Sequence, residues 1–185
     1  PNDLTNYQIF RLYNIENVII EGNGKIIGDV ETHTGTTGEW GHGISISSSK
    51  NITVKDISIS KCWGDGITVA SYTQDNLSSD ITIDNIKSKY NRRLGVSIIS
   101  GDGIKFINSN TEGNGTINGT APKMGLDIEP NPNESLNHVL VDNCLIKDKG
   151  SIYIPTTATI EDLDYKLIIQ NCNIPSQFNI AGPCT

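Results

Sequence analysis

The chain has 185 residues, a formal net charge of −7 and 36% hydrophobic residues, which is enough for one continuous core. The acidic balance argues against a nucleic-acid partner, because phosphate binding relies on Lys and Arg. No apolar run approaches the roughly 18 residues that a membrane span needs. The 29 Ile and 20 Asn, against 10 Leu, favour short strands and tight turns over helices.

One short strand, usually opened by glycine, recurs along the chain. Its copies are Gly43-Ile-Ser-Ile, Gly66-Ile-Thr-Val, Gly95-Val-Ser-Ile, Gly125-Leu-Asp-Ile and Ser151-Ile-Tyr-Ile. A second strand follows each copy, and a polar pair then turns the chain toward a weaker third strand. The apolar residues alternate within each strand, so one face points inward. Strands this short bury a face only when identical units stack on one another.

This three-part unit predicts an all-β fold, a single-stranded parallel β-helix of about five and a half coils with three short strands in each coil. A ladder of turn residues is predicted, each side chain bonding the backbone of the neighbouring coil: Asp56, Asn85, Asn108, Asn143 and Asn171. We expect one domain over residues 1–185. Because the chain begins without Met and has few coils, it is expected to be a fragment of a longer chain.

The four cysteines, Cys62, Cys144, Cys172 and Cys184, lack the spacing of a zinc site. Cys144 and Cys172 follow Asn in matching contexts, so they are predicted to stack as inward-facing residues. A disulfide that involves Cys184 stays an open alternative. Calcium is the other metal to consider, since Asp and Asn are plentiful, but no calcium-loop spacing occurs. The sequence therefore predicts neither a metal nor a cofactor.

Stacking brings equivalent positions of successive coils to about 4.8 Å from one another. The motifs that begin at Trp40 and Trp63 are one coil apart, so Trp40 is predicted beside Trp63, and His42 beside Asp65. Two outward columns are predicted on the first strand of each coil. The first holds Ser45, Thr68, Ser97, Asp127 and Tyr153, and the second holds Ser47, Ala70, Ile99 and Glu129.

These columns concentrate charge and indole rings on one side of the solenoid, which is typical of a glycan groove. Indoles stack on sugar faces, while carboxylates and Arg bond hydroxyl or carboxyl groups. The predicted substrate-binding residues are Trp40, Trp63, Arg92, Arg93 and Asp102. The predicted catalytic residues are His42, Asp65, Asp127 and Glu129.

Two carboxylates of this set could act as an acid and a base. Asp127 and Glu129 face the same way with carboxyl groups about 6–7 Å apart, a separation that fits an inverting glycosidase. Asp102, in the turn one coil below Glu129, is predicted as a third carboxylate. Asp65 is a poorer partner, since the coil spacing and its offset along the strand place it well over ~10 Å from Asp127.

A different arrangement uses the predicted contact between His42 and Asp65. A dyad of these two residues, with Arg92 or Arg93 neutralising a uronate carboxyl, could abstract the neighbouring proton, as a lyase or an epimerase requires. Spacing alone leaves both arrangements open.

The motifs that carry these residues resemble those of right-handed parallel β-helix proteins of the pectate-lyase-like superfamily. They are Gly38-Glu-Trp-Gly-His-Gly-Ile, Cys62-Trp-Gly-Asp-Gly-Ile, Asn91-Arg-Arg-Leu-Gly-Val-Ser-Ile-Ile-Ser-Gly and Gly119-Thr-Ala-Pro-Lys-Met-Gly-Leu-Asp-Ile-Glu-Pro-Asn. Within that superfamily the chain is similar to phage tailspikes and secreted bacterial polysaccharide enzymes. The resemblance implies a right-handed helix, a polysaccharide partner and an extracellular or virion-associated location. For a tailspike, it also implies a homotrimer.

The leading hypothesis is a β-helix domain that cleaves or recognises a bacterial or uronate-containing glycan, cleavage being by hydrolysis or by β-elimination. The rival is a non-catalytic stalk or receptor-binding segment in which the same residues hold a glycan without cleaving it. An ice-binding solenoid is a third alternative. It would need a flat, regular Thr array, which Asp127 and Tyr153 interrupt.

Overall fold

The computed structural model describes residues 7–131, 134–153 and 167–181, and within these ranges the regular structure is β apart from one 3-10 turn at Gln74–Asn76. The strands are β1 Gln8–Tyr13, β2 Glu16–Glu21, β3 Lys25–Ile27, β4 His42–Ser47, β5 Lys50–Lys55, β6 Ser58–Ser60, β7 Ile67–Ala70, β8 Ser79–Asp84, β9 Lys87–Lys89, β10 Leu94–Ile98, β11 Gly101–Ile107, β12 Asn110–Glu112, β13 Met124–Ile128, β14 Leu136–Asp142, β15 Leu145–Ile146, β16 Gly150–Tyr153, β17 Leu167–Gln170 and β18 Phe178–Ala181.

These strands form three parallel sheets along the molecule. Sheet 1 has the order β1-β4-β7-β10-β13-β16-β18, sheet 2 the order β17-β14-β11-β8-β5-β2, and sheet 3 the order β15-β12-β9-β6-β3. The chain visits the three sheets in turn, which confirms the predicted parallel β-helix. The described residues form six coils and the first strand of a seventh. The first coil, β1–β3, is missing from the predicted set because it has no glycine-opened strand.

The register of sheet 1 confirms most of the predicted outward column and corrects its end. Ser45, Thr68, Ser97 and Asp127 are neighbours from strand to strand. The next neighbour of Asp127 is Ser151, so the placement of Tyr153 in this column is wrong. The sequence pattern aligns Ser151 with Gly125, the strand-opening glycine of the preceding coil. In the structure Ser151 pairs with Asp127, so that alignment is two residues out of register.

The core consists of inward-facing aliphatic side chains that repeat at the same positions of successive strands. Ile52, Ile81 and Ile104 are stacked in sheet 2 and are fully buried. Each such side chain stabilises the fold by about 1.5–3 kcal/mol. Cys144 lies in the core and Cys172 packs against it, as predicted. Both are free thiols, and Cys184 lies outside the described residues.

The glycines that open the repeated strand are required by close approach between coils. A Cβ atom at Gly43 would lie 2.7 Å from the carbonyl oxygen of Gly66, and one at Gly66 would lie 2.6 Å from that of Gly95. At Gly95 the distance to the Gly125 carbonyl oxygen would be 2.4 Å. Real Cβ contacts are not this short, so the glycine column allows neighbouring coils to approach closely at the corner between sheets 3 and 1.

The predicted turn ladder is present, but its bonds differ from those expected. The five residues have φ between 49° and 60°, the left-handed region that Asn and Asp tolerate best. The amide of Asn85 donates to the Asp56 carboxylate at 2.7 Å, and that of Asn143 to the Asn108 side chain at 2.9 Å. The rungs therefore join side chain to side chain, and the predicted bonds to backbone are wrong.

A second, buried ladder holds the corner between sheets 3 and 1. The side-chain amide nitrogen (Nδ2) of Asn91 donates to the side-chain oxygen of Asn114 at 2.9 Å. The Nδ2 atom of Asn114 donates in turn to the Asp148 carboxylate at 2.8 Å. The Asn114 oxygen also accepts the backbone N–H of Asn91 at 3.1 Å. Because Asn91 directly precedes Arg92 and Arg93, this ladder fixes the backbone next to both arginines.

Candidate functional site

A groove of about 530 Å³ opens on the outer face of sheet 1. Its lining runs from Gln8 in the first coil to Asn131, which follows β13 in the fifth. Outward hydroxyl groups of β4 and β7 contribute to the lining, together with two exposed aromatic rings, Trp40 and Tyr72. Four of the predicted site residues line it: Trp40, His42, Asp65 and Arg93.

Asp65 is the best-connected carboxylate of the groove. It is 1% exposed and accepts hydrogen bonds from the Thr68 hydroxyl at 3.2 Å, the Leu94 backbone N–H at 3.2 Å and the Arg93 guanidinium at 3.3 Å. Burial raises the pKa of Asp65, while the charges of His42 and Arg93 and the bonds from Thr68 and Leu94 oppose that rise. With its oxygens held this way, Asp65 anchors the groove wall.

His42 lies beside Asp65, as predicted, with its Nδ1 atom 3.5 Å from the Asp65 carboxylate. Burial lowers the pKa of His42, which favours the neutral ring. The backbone N–H of Asp65 donates to Nδ1 at 3.1 Å, which assigns the ring proton to Nε2. A general base would need the opposite tautomer, with Nδ1–H on the carboxylate. This geometry does not fit the predicted proton-abstracting dyad.

The charge of Arg93 is neutralised inside the protein. Its Nη1 atom contacts Asp65 at 3.3 Å, Nη2 lies 3.6 Å from the Glu39 carboxylate, and Nε donates to the Ala121 carbonyl at 3.2 Å. All three nitrogens therefore have protein partners. Arg93 organises the groove wall and offers no free fork to a substrate carboxylate.

Trp63 is buried, with 1% of its surface exposed, so the prediction that it stacks on a sugar is wrong. Its ring packs against the His33 ring at 3.7 Å between centroids and against the Arg92 guanidinium at 4.0 Å. Its indole N–H donates to the Thr37 carbonyl at 3.2 Å. Residues 28–41 fold over this ring, whereas Trp40, at the equivalent position one coil earlier, stays 52% exposed.

Arg92 is buried as well, and the prediction that it binds substrate is also wrong. Its guanidinium donates to the carbonyl oxygens of Thr36 and Gly38 in the loop 28–41, and to that of Asn118 in the loop 113–123. These bonds hold the two loops together. Glu39 and Trp40, which line the groove, lie near the end of the loop 28–41, so Arg92 holds this wall of the groove in position.

Asp127 and Glu129 lie beyond the groove lining, next to its far end. Asp127 is 3% exposed and accepts a hydrogen bond from the Ser151 hydroxyl at 2.5 Å. Burial raises the pKa of Asp127 to about 6; the charges of Glu129 and Asp65 add to this rise, while the Ser151 bond and Arg93 oppose it. Glu129 is exposed. Its backbone N–H bonds the Ile98 carbonyl at 3.1 Å, beside the groove residue Ile99.

Asp102 lies on sheet 2, in β11, where it pairs in register with Ser79 and Asn137. Its exposed carboxylate is 2.7 Å from Nδ1 of His138. It does not line the groove, so the structure does not bring Asp102 together with Trp40, His42, Asp65 and Arg93. The chain turns the corner between sheets 1 and 2 before Asp102, and this moves its side chain to another face.

Several groove residues have no signal in the repeat pattern. Gln8 belongs to the first coil, which lacks the strand-opening glycine, and Tyr72 lies in the insertion between β7 and β8. Glu39 is next to Trp40 and completes the ion-pair set of Arg93. The exposed aromatic at position 72 could have been found only by asking which insertions border the outward face of sheet 1.

Within the described ranges, no group of three or more His, Cys, Asp or Glu side chains is arranged to hold a metal ion. The same part of the chain contains no helix with the length and apolar character that a membrane crossing requires.

No protein-family model matches the chain. It is 38% identical over 140 residues to the uncharacterized protein YclG of Bacillus subtilis. It is 32% identical over 145 residues to the SPbeta prophage-derived uncharacterized protein YorA of the same bacterium. Each alignment covers 70% of this chain and 24% of the relative. The chain therefore spans about a quarter of the length of the curated relatives it matches.

A solved structure is also similar, that of the tailspike protein gp49 from the Acinetobacter baumannii bacteriophage Fri1, a capsular polysaccharide depolymerase. The TM-score is 0.63 and the sequence identity 17%, over 92% of this chain and 31% of the tailspike chain. At this identity the likeness shows a common β-helix fold.

Proposed function

We propose that this chain acts on a polysaccharide that binds along the outer face of sheet 1. The observation that carries the proposal is the groove of about 530 Å³, lined by the exposed rings of Trp40 and Tyr72 and by outward hydroxyl groups. Aromatic rings provide a large, rigid contact area for the apolar faces of sugars, and a few placed polar groups fix orientation. The fold shared with a polysaccharide depolymerase supports the same proposal.

Asp127 is the group best suited to acid catalysis at this site. Its pKa of about 6 lies near the range in which a carboxylic acid can both hold and release a proton. Glu129 is two residues further along, which places the two carboxyl groups about 6–7 Å apart, a separation that accommodates a water molecule in inverting glycosidases. In this scheme Asp127 protonates the departing glycosidic oxygen, and Glu129 accepts a proton from the attacking water.

A non-catalytic glycan-binding segment is the second candidate, and one observation favours it. The carboxyl groups of Asp65 and Asp127 belong to residues that are 1% and 3% exposed, and both are held by protein donors. A binding site needs no accessible acid, so this burial suits recognition without cleavage. In either case we propose an extracellular or virion-associated location, and a homotrimer if the parent is a tailspike. The prophage-derived relative and the tailspike fold support this.

Trp40→Ala is expected to weaken glycan binding by about 10-fold, because a buried aromatic contact is worth about 1–2 kcal/mol. The full-length protein is titrated with a panel of bacterial capsular and uronate polysaccharides by calorimetry. Reducing ends and the absorbance of unsaturated products are followed on the same samples. New reducing ends without unsaturated products indicate hydrolysis, and both together indicate β-elimination.

Ile19→Ala is the matched control, since Ile19 is 63% exposed and lies on sheet 2, away from the groove. It is expected to bind like the parent protein. Equal losses in the two variants, or no binding by the parent to any glycan, would contradict the proposal. Binding by the parent without new ends or unsaturated products would select the non-catalytic candidate.

A further inference from the structure

A compact cluster of two tyrosines and an arginine, contributed by the first and third coils, borders the groove. The rings of Tyr13 and Tyr72 meet edge to face, 4.9 Å between centroids at 74°. The guanidinium carbon of Arg11 lies 4.9 Å from the centroid of the Tyr13 ring, and its Nη2 atom donates to the Tyr72 hydroxyl at 3.3 Å. All three side chains are exposed.

Strand register joins this cluster to the groove. Arg11 pairs with Ser45 and Tyr13 pairs with Ser47, and both serines line the groove. Tyr72 lines the groove directly, and its backbone N–H is tied to the Ser48 hydroxyl at 3.0 Å. Arg11 and Tyr13 therefore continue the groove floor by one coil, about 4.8 Å, and meet Tyr72 at its edge.

Arg11 and Arg93 differ in their ion-pair partners. Arg93 contacts the carboxylates of Asp65 and Glu39. Arg11 has no carboxylate within ion-pair distance among the residues that the structure describes. A guanidinium has five N–H donors in a planar fork, and among the described residues only one of them is used, on Tyr72. The remaining donors match the paired oxygens of a carboxylate, sulfate or phosphate group.

From these contacts we infer that Arg11, Tyr13 and Tyr72 form a subsite for an acidic sugar unit, one that carries a carboxylate or another oxyanion. The tyrosine rings contact the sugar face and Arg11 binds its anionic group. This inference rests on the proposed function, since it names the sugar class that the groove accepts. It also assigns recognition of the anionic group to Arg11 and not to Arg93, the groove arginine that the sequence pattern predicts for this role.

The test uses acidic polysaccharides and the same polymers after chemical reduction of their carboxyl groups. This reduction removes the negative charge and leaves the polysaccharide backbone intact. Binding of the full-length protein is measured for each pair at low ionic strength. The parent is expected to bind an acidic member about 10-fold or more tightly than its reduced counterpart. Arg11→Gln is expected to lose that difference.

Lys105→Gln is the matched control, because Lys105 is an exposed cation on sheet 2 and its loss changes net charge equally. It should keep the preference of the parent protein. Tyr72→Phe keeps the ring but removes the hydroxyl that holds Arg11, so it should reduce the preference by about 2–3-fold.

The outcomes separate this inference from the proposed function. A parent protein that binds reduced and acidic polymers equally, or an Arg11→Gln variant that keeps the preference, overturns the acidic subsite and leaves the proposed function standing. A parent protein that binds no member of any pair overturns both. Loss of the preference in Lys105→Gln as well would show a general charge effect and would also overturn the subsite.

Discussion

Asp127→Asn is expected to lower polysaccharide cleavage by about 100-fold or more near pH 6, because a positioned general acid contributes about 10²–10⁴-fold. The asparagine side chain can still accept the hydrogen bond from Ser151, so the surrounding contacts are kept. The proton that the departing sugar oxygen needs is lost. The comparison is made on initial rates of reducing-end formation.

The pH dependence of the parent protein tests whether Asp127 acts in its protonated form, as a general acid must. Burial raises the pKa of Asp127 to about 6, and a general acid must be protonated to act. We therefore expect kcat/KM to fall as the pH rises above about 6. A rate that keeps rising from about pH 5 to pH 8, or an Asp127→Asn variant with parental activity, would exclude Asp127 as the acid.

Stability measurements on the same variant distinguish a loss of activity from a loss of fold. The folded-state pKa of Asp127, about 6, is above the ordinary value of 3.8, so ionising the buried carboxylate costs folding free energy at neutral pH. Asp127→Asn removes that cost. It should be more stable than the parent by about 1–3 kcal/mol near pH 7.5, with the difference disappearing as the pH falls below about 4. A variant less stable than the parent at neutral pH would contradict this.

Gly66→Ala is expected to lower the free energy of unfolding by about 3 kcal/mol, the upper end of the usual range for overpacking. The new Cβ atom would lie 2.1 Å from the Ser88 hydroxyl and 2.6 Å from the Gly95 carbonyl oxygen. The carbonyl belongs to the next coil and cannot move without opening the stack. For a chain of this size the midpoint of thermal unfolding should fall by about 6–12 °C.

Gly24→Ala is the control for this substitution. A Cβ atom at Gly24 would meet nothing within 4 Å, so its unfolding midpoint should stay within about 2 °C of the parent. A Gly66→Ala variant that unfolds at the parental temperature would show that the glycine column is not what limits the spacing of the coils.

The sequence predicts the parts of this molecule that repeat. Alternating Ile residues identify the inward faces, the glycine-opened strands identify sheet 1, and motif spacing places His42 beside Asp65. These predictions hold because stacked coils place equivalent residues side by side. The first coil escapes prediction because β1 has no strand-opening glycine, although its Leu12 is buried like its equivalents.

The features that do not repeat are the ones that sequence reasoning misjudges. Trp40 and Trp63 have the same motif, yet one is exposed and the other is buried, because the loop 28–41 covers only the second ring. Arg92 and Arg93 are adjacent, yet only Arg93 reaches the groove. The paths of inserted loops depend on long-range contacts, such as those of Arg92 with Gly38 and Asn118, and coil spacing contains no information about them.

A crystal structure with a bound oligosaccharide would show whether a polysaccharide lies along the outer face of sheet 1. The oligosaccharide is cut from whichever polymer the full-length protein binds. We expect sugar rings against Trp40 and Tyr72, with the chain running toward Glu129 at one end and Arg11 at the other. An oligosaccharide bound on sheet 2 or sheet 3, with the groove of sheet 1 empty, would contradict glycan binding along the outer face of sheet 1.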